Sequence, residues 1–201
     1  MKYLESLDLF VILEKDVAQA KEAKKYIDRV NPQGARVMDC GASTGDYAKL
    51  CMEAGAANVW CYESDERYEE VLKANLKPYP HVEINIASLG VEPRYSYMAK
   101  CPGGPKTNFV EEFKRIDPNI LKMDIEGYEF DCIDDHAVLA MIDSSLDNFI
   151  VEWHPAKYEN RIDRLKTIHS QLTAQHFTPN RELPETYSGW PFMIYYYRGK
   201  Q

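Results

Sequence analysis

The amino-acid sequence predicts an α/β fold with a mainly parallel sheet and helices on both of its faces. Short apolar runs alternate with helical stretches of roughly 10–15 residues, which are the crossover connections that parallel strands need. The chain has 201 residues, of which 45% are hydrophobic, so it can form one domain with a sizeable core. Several apolar runs also end in Asp or Glu, where the strands of such a sheet meet their ligands.

The predicted elements follow one another in a regular order after an N-terminal helix. An apolar stripe that stops at Asn31 and Pro32 predicts this helix over 8–30. Buried strands are predicted at 35–41, 58–63, 81–87, 119–125 and 147–154, and helices at 44–54, 65–76, 128–141 and 158–175. Asp65 is the predicted N-cap of its helix. Residues 101–108 form a predicted loop, and the aromatic segment 190–198 is a predicted edge strand.

Composition excludes several classes of protein. A net charge of −8 argues against a nucleic-acid partner, because a phosphate backbone attracts basic proteins. No apolar run is long enough to span a membrane, and the short run LFVIL at 9–13 is not a signal peptide. The five cysteines form an odd set without a CxxC pair, which predicts reduced thiols in a cytoplasmic protein.

Acidic residues lie at the ends of four predicted strands. They are Asp39, Glu63, Asp124 and Glu152, with His154 two residues beyond the last of them. Because the carboxyl ends of parallel strands meet at one edge of a sheet, we expect these side chains to share that edge, which we call the carboxyl edge. Such a row of carboxylates does not stabilise a fold and is suited to holding a polar or cationic ligand.

The segment VMDCGASTGDY at 37–47 joins the first buried strand to the next helix. Gly41 and Gly45 allow a tight turn and a close approach to a ligand, and the helix N-terminus adds free N–H groups. Glu63 follows Gly41 by 22 residues, a spacing that suits a carboxylate bound to both hydroxyls of a ribose. The sequence therefore predicts a nucleotide-type cofactor against this glycine loop (residues 41–45).

S-adenosylmethionine fits these residues better than NAD. The loop lacks the GxGxxG pattern of dinucleotide binding, a P-loop is absent, and the Tyr-x-x-x-Lys pair of short-chain dehydrogenases occurs only as Tyr196 and Lys200 at the far C-terminus. S-adenosylmethionine offers a ribose to Glu63 and an amino-acid group to the loop, and its sulfonium cation tolerates an acidic edge. A non-catalytic module that binds this cofactor or a nucleotide remains the alternative function.

Four motifs resemble those of FkbM-type S-adenosylmethionine-dependent methyltransferases. They are VMDCGASTGDYAKL, WCYESDERYEEVLKANL, LKMDIEGYEFDCI and FIVEWH, in the family's order over residues 35–155. The element Asp-x-Glu-Gly-x-Glu at 124–129 is the most specific of them. Two positions depart from the family pattern, since Ser43 stands where Asn is usual and Ser64 where Pro is usual.

This resemblance implies a single Rossmann-like class I methyltransferase domain with a seven-stranded sheet. Its parts would be an N-terminal helical cover (1–34), a cofactor-binding core (35–155), and a C-terminal helix with edge strands (156–201). It also implies O-methylation of a hydroxyl on a sugar, a polyketide or a similar small metabolite. The helical cover either shields the sheet or forms a homo-oligomer, and the sequence leaves both open.

The family's cofactor residues carry over by position. They would be Asp39, Gly41, Ala42, Ser43, Gly45, Glu63, Ser64, Ala87, Ser88 and Asp124. Of these, Ala87 and Ser88 would lie near the adenine, and Asp124 near the methionine end of the cofactor or the acceptor.

The catalytic residues are expected at the ends of the fourth and fifth buried strands. An alcohol must lose its proton during methyl transfer, which asks for a base or a metal ion. His154 is the candidate base, with Asp124 and Glu152 beside it. Alternatively, Asp124, Glu126, Glu152 and His154 would hold a divalent cation, for which oxygen-rich ligands favour Mg²⁺ over zinc. The sequence Asp-Ile-Glu-Gly lacks the Asn/Asp-Pro-Pro-aromatic motif of enzymes that methylate amino groups of nucleic acids.

Overall fold

The structure, a computed structural model, describes residues 1–5, 8–90, 105–133, 136–155, 161–184 and 191–198. The first half of the predicted loop at 101–108, the start of the predicted helix at 158–175, Trp190 and Lys200 lie outside these ranges. None of the helices in these ranges has the length and apolar composition that a membrane span requires.

Strands and helices alternate through the middle of the chain. In chain order the strands are β1 (Lys2–Leu4), β2 (Leu9–Val11), β3 (Arg36–Cys40), β4 (Asn58–Glu63), β5 (Val82–Ile86), β6 (Ser88–Gly90), β7 (Lys106–Asn108), β8 (Ile120–Met123), β9 (Asn148–Trp153), β10 (Phe177–Pro179) and β11 (Phe192–Arg198). The helices are α1 (Glu14–Val30), α2 (Asp46–Glu53), α3 (Glu69–Leu76), α4 (Phe109–Ile116), α5 (Glu129–Ile133), α6 (His136–Ser145) and α7 (Arg161–Ala174). All five buried strands are confirmed with small changes at their ends.

A seven-stranded sheet forms the centre of the protein, in the order β10-β11-β9-β8-β3-β4-β5. Strands β9, β8, β3, β4 and β5 are parallel, whereas β11 is antiparallel to β9 and β10 is antiparallel to β11. One core cluster contains side chains of α4 to α7 and another those of α1 to α3, so helices cover both faces. The predicted α/β fold with a mainly parallel seven-stranded sheet is confirmed.

The register of the sheet brings the strand ends together. Cys40 pairs with Tyr62 of β4 and with Met123 of β8, and Met123 pairs with Val151 of β9. The strand order reverses between β3 and β8, because β4 and β5 lie on one side of β3 and β8 and β9 on the other. In parallel α/β sheets this reversal opens a crevice at the carboxyl edge, which is where ligands bind.

The prediction of a helix from residue 8 is wrong in its first turn. Residues 9–11 form β2, which pairs with β1 as an antiparallel hairpin, and α1 begins at Glu14. The reason is tertiary: the side chain of Asn75 on α3 accepts the N–H of Phe10 at 2.7 Å and donates to its carbonyl at 2.9 Å. Asp16 then accepts the N–H groups of Ile12 and Leu13 at 2.9 and 2.7 Å, which starts the helix.

Other boundaries differ in smaller ways. The helix predicted at 128–141 is two helices, α5 and α6, and residues 134–135 between them lie outside the described ranges. Asp65 accepts the N–H of Arg67 at 3.0 Å, as its predicted capping role requires, although the first turn after it is a 3-10 turn. The aromatic strand β11 is not at the edge of the sheet, because β10 pairs with its outer side.

Candidate active site

Gly41 packs directly against the end of β8. Its φ is +80°, and a Cβ built on it would lie 1.8 Å from the backbone carbonyl oxygen of Asp124. The N–H of Asp124 also donates to the carbonyl of Cys40 at 2.9 Å, so the last residue of β3 and the first residue of the glycine loop both contact the end of β8. Only glycine fits this position, and the glycine loop therefore lies beside the fourth acidic strand end, as the register predicts.

The other half of the loop anchors helix α2. Gly45 also has a φ of +80°, and a Cβ there would lie 3.0 Å from methyl groups of Leu72 and Leu76 on α3. Ser43 has a φ of +48°, a left-handed conformation that is uncommon for residues other than Gly, Asn and Asp. The backbone at this position therefore accounts for the Asn that is usual there in the family, and Ser occupies it at some cost in strain.

Glu63 connects the end of β4 to the loop. Its Oε2 accepts the N–H of Ser43 and its Oε1 accepts the N–H of Asp65, each at 2.8 Å. The residue is 8% exposed. Burial raises the pKa of its carboxyl, and the two backbone hydrogen bonds oppose that rise. The half-buried Ser64 lies directly after it, at a bend.

Ala87 and Ser88 lie next to the same edge of the sheet. Ile86 pairs with Glu63, so Ala87 follows the residue opposite Glu63. Ala87 is buried, and Ser88 begins β6 and donates its N–H to the carbonyl of Pro105 at 3.0 Å. The predicted adenine-side residues are thus close to the predicted ribose-binding residue.

Asp39 lies beneath the loop instead of on its surface. The side chain is fully buried, and it pairs in register with Lys122 on β8, whose Nζ is 3.3 Å from Asp39 Oδ1. Lys122 also donates to the carbonyl of Gly41. Neither carboxylate oxygen of Asp39 has a hydrogen bond within the described part of the chain. Burial raises the pKa of Asp39 to about 6, although the positive charge of Lys122 opposes the rise.

The predicted catalytic residues form one group, which we call the His154 cluster: Asp124, Glu126, Glu152 and His154. Nε2 of His154 lies 3.9 Å from Asp124 Oδ1, 3.8 Å from Glu126 Oε2 and 3.9 Å from Glu152 Oε2. Side chains of Asp124 and Glu152 are 16% and 26% exposed, and that of Glu126 is 61% exposed. The cluster therefore opens to solvent on the Glu126 side, where an acceptor can enter.

Glu129 contacts the His154 cluster from the protein interior and holds the imidazole, a role that the sequence did not indicate. Its side chain is fully buried, and Oε1 lies 3.1 Å from Nδ1 of His154. The same oxygen accepts the N–H groups of Ile125 and Gly127 at 2.8 and 3.2 Å. The spacing of Glu126 and Glu129 around Gly127 was visible in the sequence, but the contact with His154 depends on the packing of α5 against β9.

The charges of the cluster stabilise the protonated imidazole. Burial lowers the pKa of His154, but the hydrogen bond and charge of Glu129, with the charges of Asp124 and Glu152, outweigh it and raise the pKa. The pKa of Glu152 is also raised, first by burial and then by the nearby Asp124. A neutral imidazole base, as the sequence suggests for His154, is thus disfavoured by these carboxylates, because they favour the cation.

Comparison with known proteins agrees with this arrangement. Residues 105–178 match the family model of the methyltransferase FkbM domain. The resemblance to the FkbM family is confirmed. The matched segment contains β8, the His154 cluster, Glu129 and β9, whereas the glycine loop and Glu63 precede it. No curated protein sequence matches the chain at a significant level.

Solved methyltransferases share the fold. Magnesium protoporphyrin IX methyltransferase of Synechocystis, solved with bound S-adenosylmethionine, has a TM-score of 0.53 and 13% identity over 99% of this chain and 86% of that chain. Ribosomal protein L11 methylase of Lactobacillus delbrueckii subsp. bulgaricus has a TM-score of 0.53 and 14% identity over 95% and 82%. A Pyrococcus horikoshii protein, described provisionally as an RNA methyltransferase, has a TM-score of 0.50 and 19% identity over 90% and 82%.

These likenesses identify the fold as that of class I methyltransferases. Together with the FkbM match they support an S-adenosylmethionine-dependent methyltransferase. These three proteins are named for methylation of a porphyrin, a protein and RNA, so the neighbours give no common acceptor.

Proposed function

We propose that the protein transfers the methyl group of S-adenosylmethionine to a hydroxyl oxygen of a small metabolite or sugar. The contact between Gly41 and the carbonyl of Asp124 carries this proposal. It joins the loop expected to hold the cofactor to the cluster expected to hold the acceptor, at the strand-order reversal where ligands bind in such sheets.

The residues of the glycine loop fit the cofactor. Gly41 brings the backbone of the loop against the end of β8 at the strand-order reversal, and Glu63 stands at the end of the adjacent strand. Each Glu63 oxygen accepts one backbone N–H, so each keeps a further lone pair for a ribose hydroxyl. S-adenosylmethionine would supply an electrophilic methyl group on a sulfonium centre, which the nearby carboxylates tolerate.

The His154 cluster fits the acceptor. A hydroxyl must approach the methyl carbon in line at about 3 Å, and positioning of this kind contributes several kcal/mol to catalysis. Asp124 and Glu152 can accept the hydrogen bond of such a hydroxyl and so orient its oxygen, while His154 is held by Glu129. The half-exposed carboxylates favour an acceptor that carries polar hydroxyl groups, and the net charge of −8 disfavours RNA.

Calorimetric titration with S-adenosylmethionine and S-adenosylhomocysteine tests the identity of the cofactor. NAD is the control ligand, which should not bind. We expect micromolar binding that Glu63→Ala weakens by about 1–3 kcal/mol, the cost of a lost charged hydrogen bond. Asp28→Asn is the matched control, because Asp28 is exposed near the end of α1 and is not one of the predicted site residues. Absence of binding at millimolar cofactor would refute the proposal.

Transfer of a labelled methyl group tests the acceptor class. Protein with labelled S-adenosylmethionine would be incubated separately with sugars, with hydroxylated small metabolites, with RNA and with protein. Label recovered as a methyl ether of a small molecule supports the proposal. Label that appears only in RNA or only in protein contradicts it, while leaving methyl transfer itself intact. Cofactor binding without transfer of label to any of the four acceptor classes favours the non-catalytic binding module.

A further inference from the structure

Three members of the His154 cluster present metal-ligating atoms to a common space. Oxygen atoms of Asp124 and Glu152 and a nitrogen of His154 all lie within 4.8 Å of one another. The imidazole Nε2 lies 3.9 Å from Asp124 Oδ1 and 3.9 Å from Glu152 Oε2, which is too far for a hydrogen bond in either case. A gap that no direct hydrogen bond closes therefore separates the imidazole from these two carboxylates, whereas Asp124 and Glu152 interact with each other.

The size of this gap matches a divalent cation. Oxygen and nitrogen ligands lie about 2.1 Å from ions such as Mg²⁺, so adjacent ligands in an octahedral site are roughly 3 Å apart and opposite ones roughly 4 Å. The two separations of 3.9 Å fall within that interval. Side-chain movements smaller than about 1 Å would bring all three atoms to bonding distance.

A second observation, outside these three residues, indicates that Nε2 is the ligating nitrogen. Nδ1 of His154 is paired with Glu129, which belongs to α5 and is fully buried. Backbone N–H groups of Ile125 and Gly127 hold the same Glu129 oxygen in place. Metal-binding histidines commonly have their other ring nitrogen bound by a carboxylate in this way, because it fixes the ring and raises its basicity as a ligand.

We propose that Asp124, Glu152 and His154 bind a divalent cation of the Mn²⁺ and Mg²⁺ class, with Glu129 as the outer carboxylate that orients His154. Two carboxylates and one imidazole favour these ions over metals that prefer thiolate ligands. Three protein ligands also leave coordination positions of the ion open to other ligands. Glu126 is 61% exposed and lies on the open side of the site. The role of the cation rests on the proposed function. The ion would hold the acceptor oxygen beside the methyl donor and lower the pKa of the acceptor hydroxyl.

Binding of Mn²⁺ to the purified chain, treated with a chelator and free of cofactor, tests this proposal. We expect micromolar affinity by electron paramagnetic resonance titration, and competition by Mg²⁺. Asp124→Asn, Glu152→Gln and His154→Gln should each weaken Mn²⁺ at least tenfold, and Glu129→Gln by about tenfold, as for other outer-shell partners. Asp28→Asn should leave the affinity unchanged. Pulsed electron paramagnetic resonance should detect an imidazole nitrogen bound to Mn²⁺, and that signal should be absent from His154→Gln.

The outcomes separate this proposal from the proposed function. Circular dichroism and titration with S-adenosylmethionine show whether each variant is folded and retains its cofactor site. Cofactor binding with Mn²⁺ affinity weaker than millimolar, or with affinity that the three ligand variants do not change, overturns the cation site and leaves methyl transfer standing. Mn²⁺ binding without cofactor binding supports the site and refutes the proposed function. Failure of millimolar Mg²⁺ to displace bound Mn²⁺ would overturn the assignment of the ion class, whereas tighter binding of Zn²⁺ is expected of any such site.

Discussion

The backbone of Gly41 touches the backbone of Asp124: a Cβ at position 41 would lie 1.8 Å from the Asp124 carbonyl oxygen. This contact fixes the distance between the glycine loop and the His154 cluster. It involves main-chain atoms on both sides, so no side-chain rotation can relieve a clash there. The geometry of the candidate active site therefore depends on the absence of a single side chain.

Gly41→Ala is expected to move the loop or the end of β8. The φ of +80° adds a cost of about 1–2 kcal/mol for any L-residue, and the clash adds to it. We expect both a lower free energy of unfolding in urea and at least tenfold weaker S-adenosylmethionine binding. Gly34→Ala is the matched control, since Gly34 has a φ of +73° and nothing within 4 Å of its Cβ position. Equal effects of the two substitutions on cofactor binding would show that the contact with Asp124 is unimportant.

The sheet and its acidic edge could be predicted because their signals are local. Each buried strand is a short apolar run that ends at a turn, and parallel pairing then places Glu63 and Asp124 at one edge without further information. The N-terminal hairpin could not be predicted, because its three-residue strands depend on the contact between Phe10 and Asn75. The pattern of 8–30 alone favours a helix throughout.

Lys122 and Glu129 could not be assigned to the site from the sequence, because their contacts also depend on tertiary structure. Lys122 sits in the middle of an apolar run, and its importance becomes visible only when the register places it opposite Asp39. Glu129 lies in the first turn of α5, where a carboxylate commonly stabilises the helix N-terminus. Its contact with His154 joins residues that are 25 positions apart in the chain, and no sequence spacing indicates that distance.

Lys122→Met is expected to destabilise the protein strongly. The substitution leaves Asp39 buried without its counter-charge and removes the donor to the carbonyl of Gly41. Loss of one partner of a buried ion pair costs about 3–5 kcal/mol, measured as the free energy of unfolding in urea. Addition of Asp39→Asn should recover part of this loss. Lys73→Met, which breaks the exposed pair with Glu69, should cost about 0.5 kcal/mol or less; similar losses for both lysines would contradict this account.

Asp39 should make stability depend on pH. Burial raises its pKa from 3.8 in the unfolded chain to about 6 in the fold, so the folded state binds a proton more tightly than the unfolded state. The free energy of unfolding should therefore fall as pH rises from about 4 to about 6, by as much as about 3 kcal/mol from this group. Urea unfolding at several pH values checks the effect, with Asp39→Asn as the comparison. The variant should lack this part of the fall, and two parallel stability curves would rule the effect out.

Asn75 links the N-terminal hairpin to the glycine loop. Its side chain is buried, bonds both backbone groups of Phe10, and also donates to the carbonyl of Thr44 at 2.7 Å. Asn75→Ala leaves these buried groups without partners, so we expect a loss of about 2–4 kcal/mol in the free energy of unfolding. Hydrogen exchange at Phe10 should accelerate with it, and S-adenosylmethionine should bind several-fold more weakly because Thr44 is no longer held.

A half-buried asparagine offers the matched comparison. Asn85 donates to the carbonyl of Cys61 at 3.4 Å and to Glu83 at 3.1 Å, and both contacts are partly open to solvent. Asn85→Ala should therefore cost about 1 kcal/mol or less, because water replaces the lost hydrogen bonds. It should leave exchange at Phe10 unchanged. If Asn75→Ala destabilised the chain without changing either exchange at Phe10 or cofactor affinity, Asn75 would stabilise α3 alone, and the hairpin and the loop would be independent of each other.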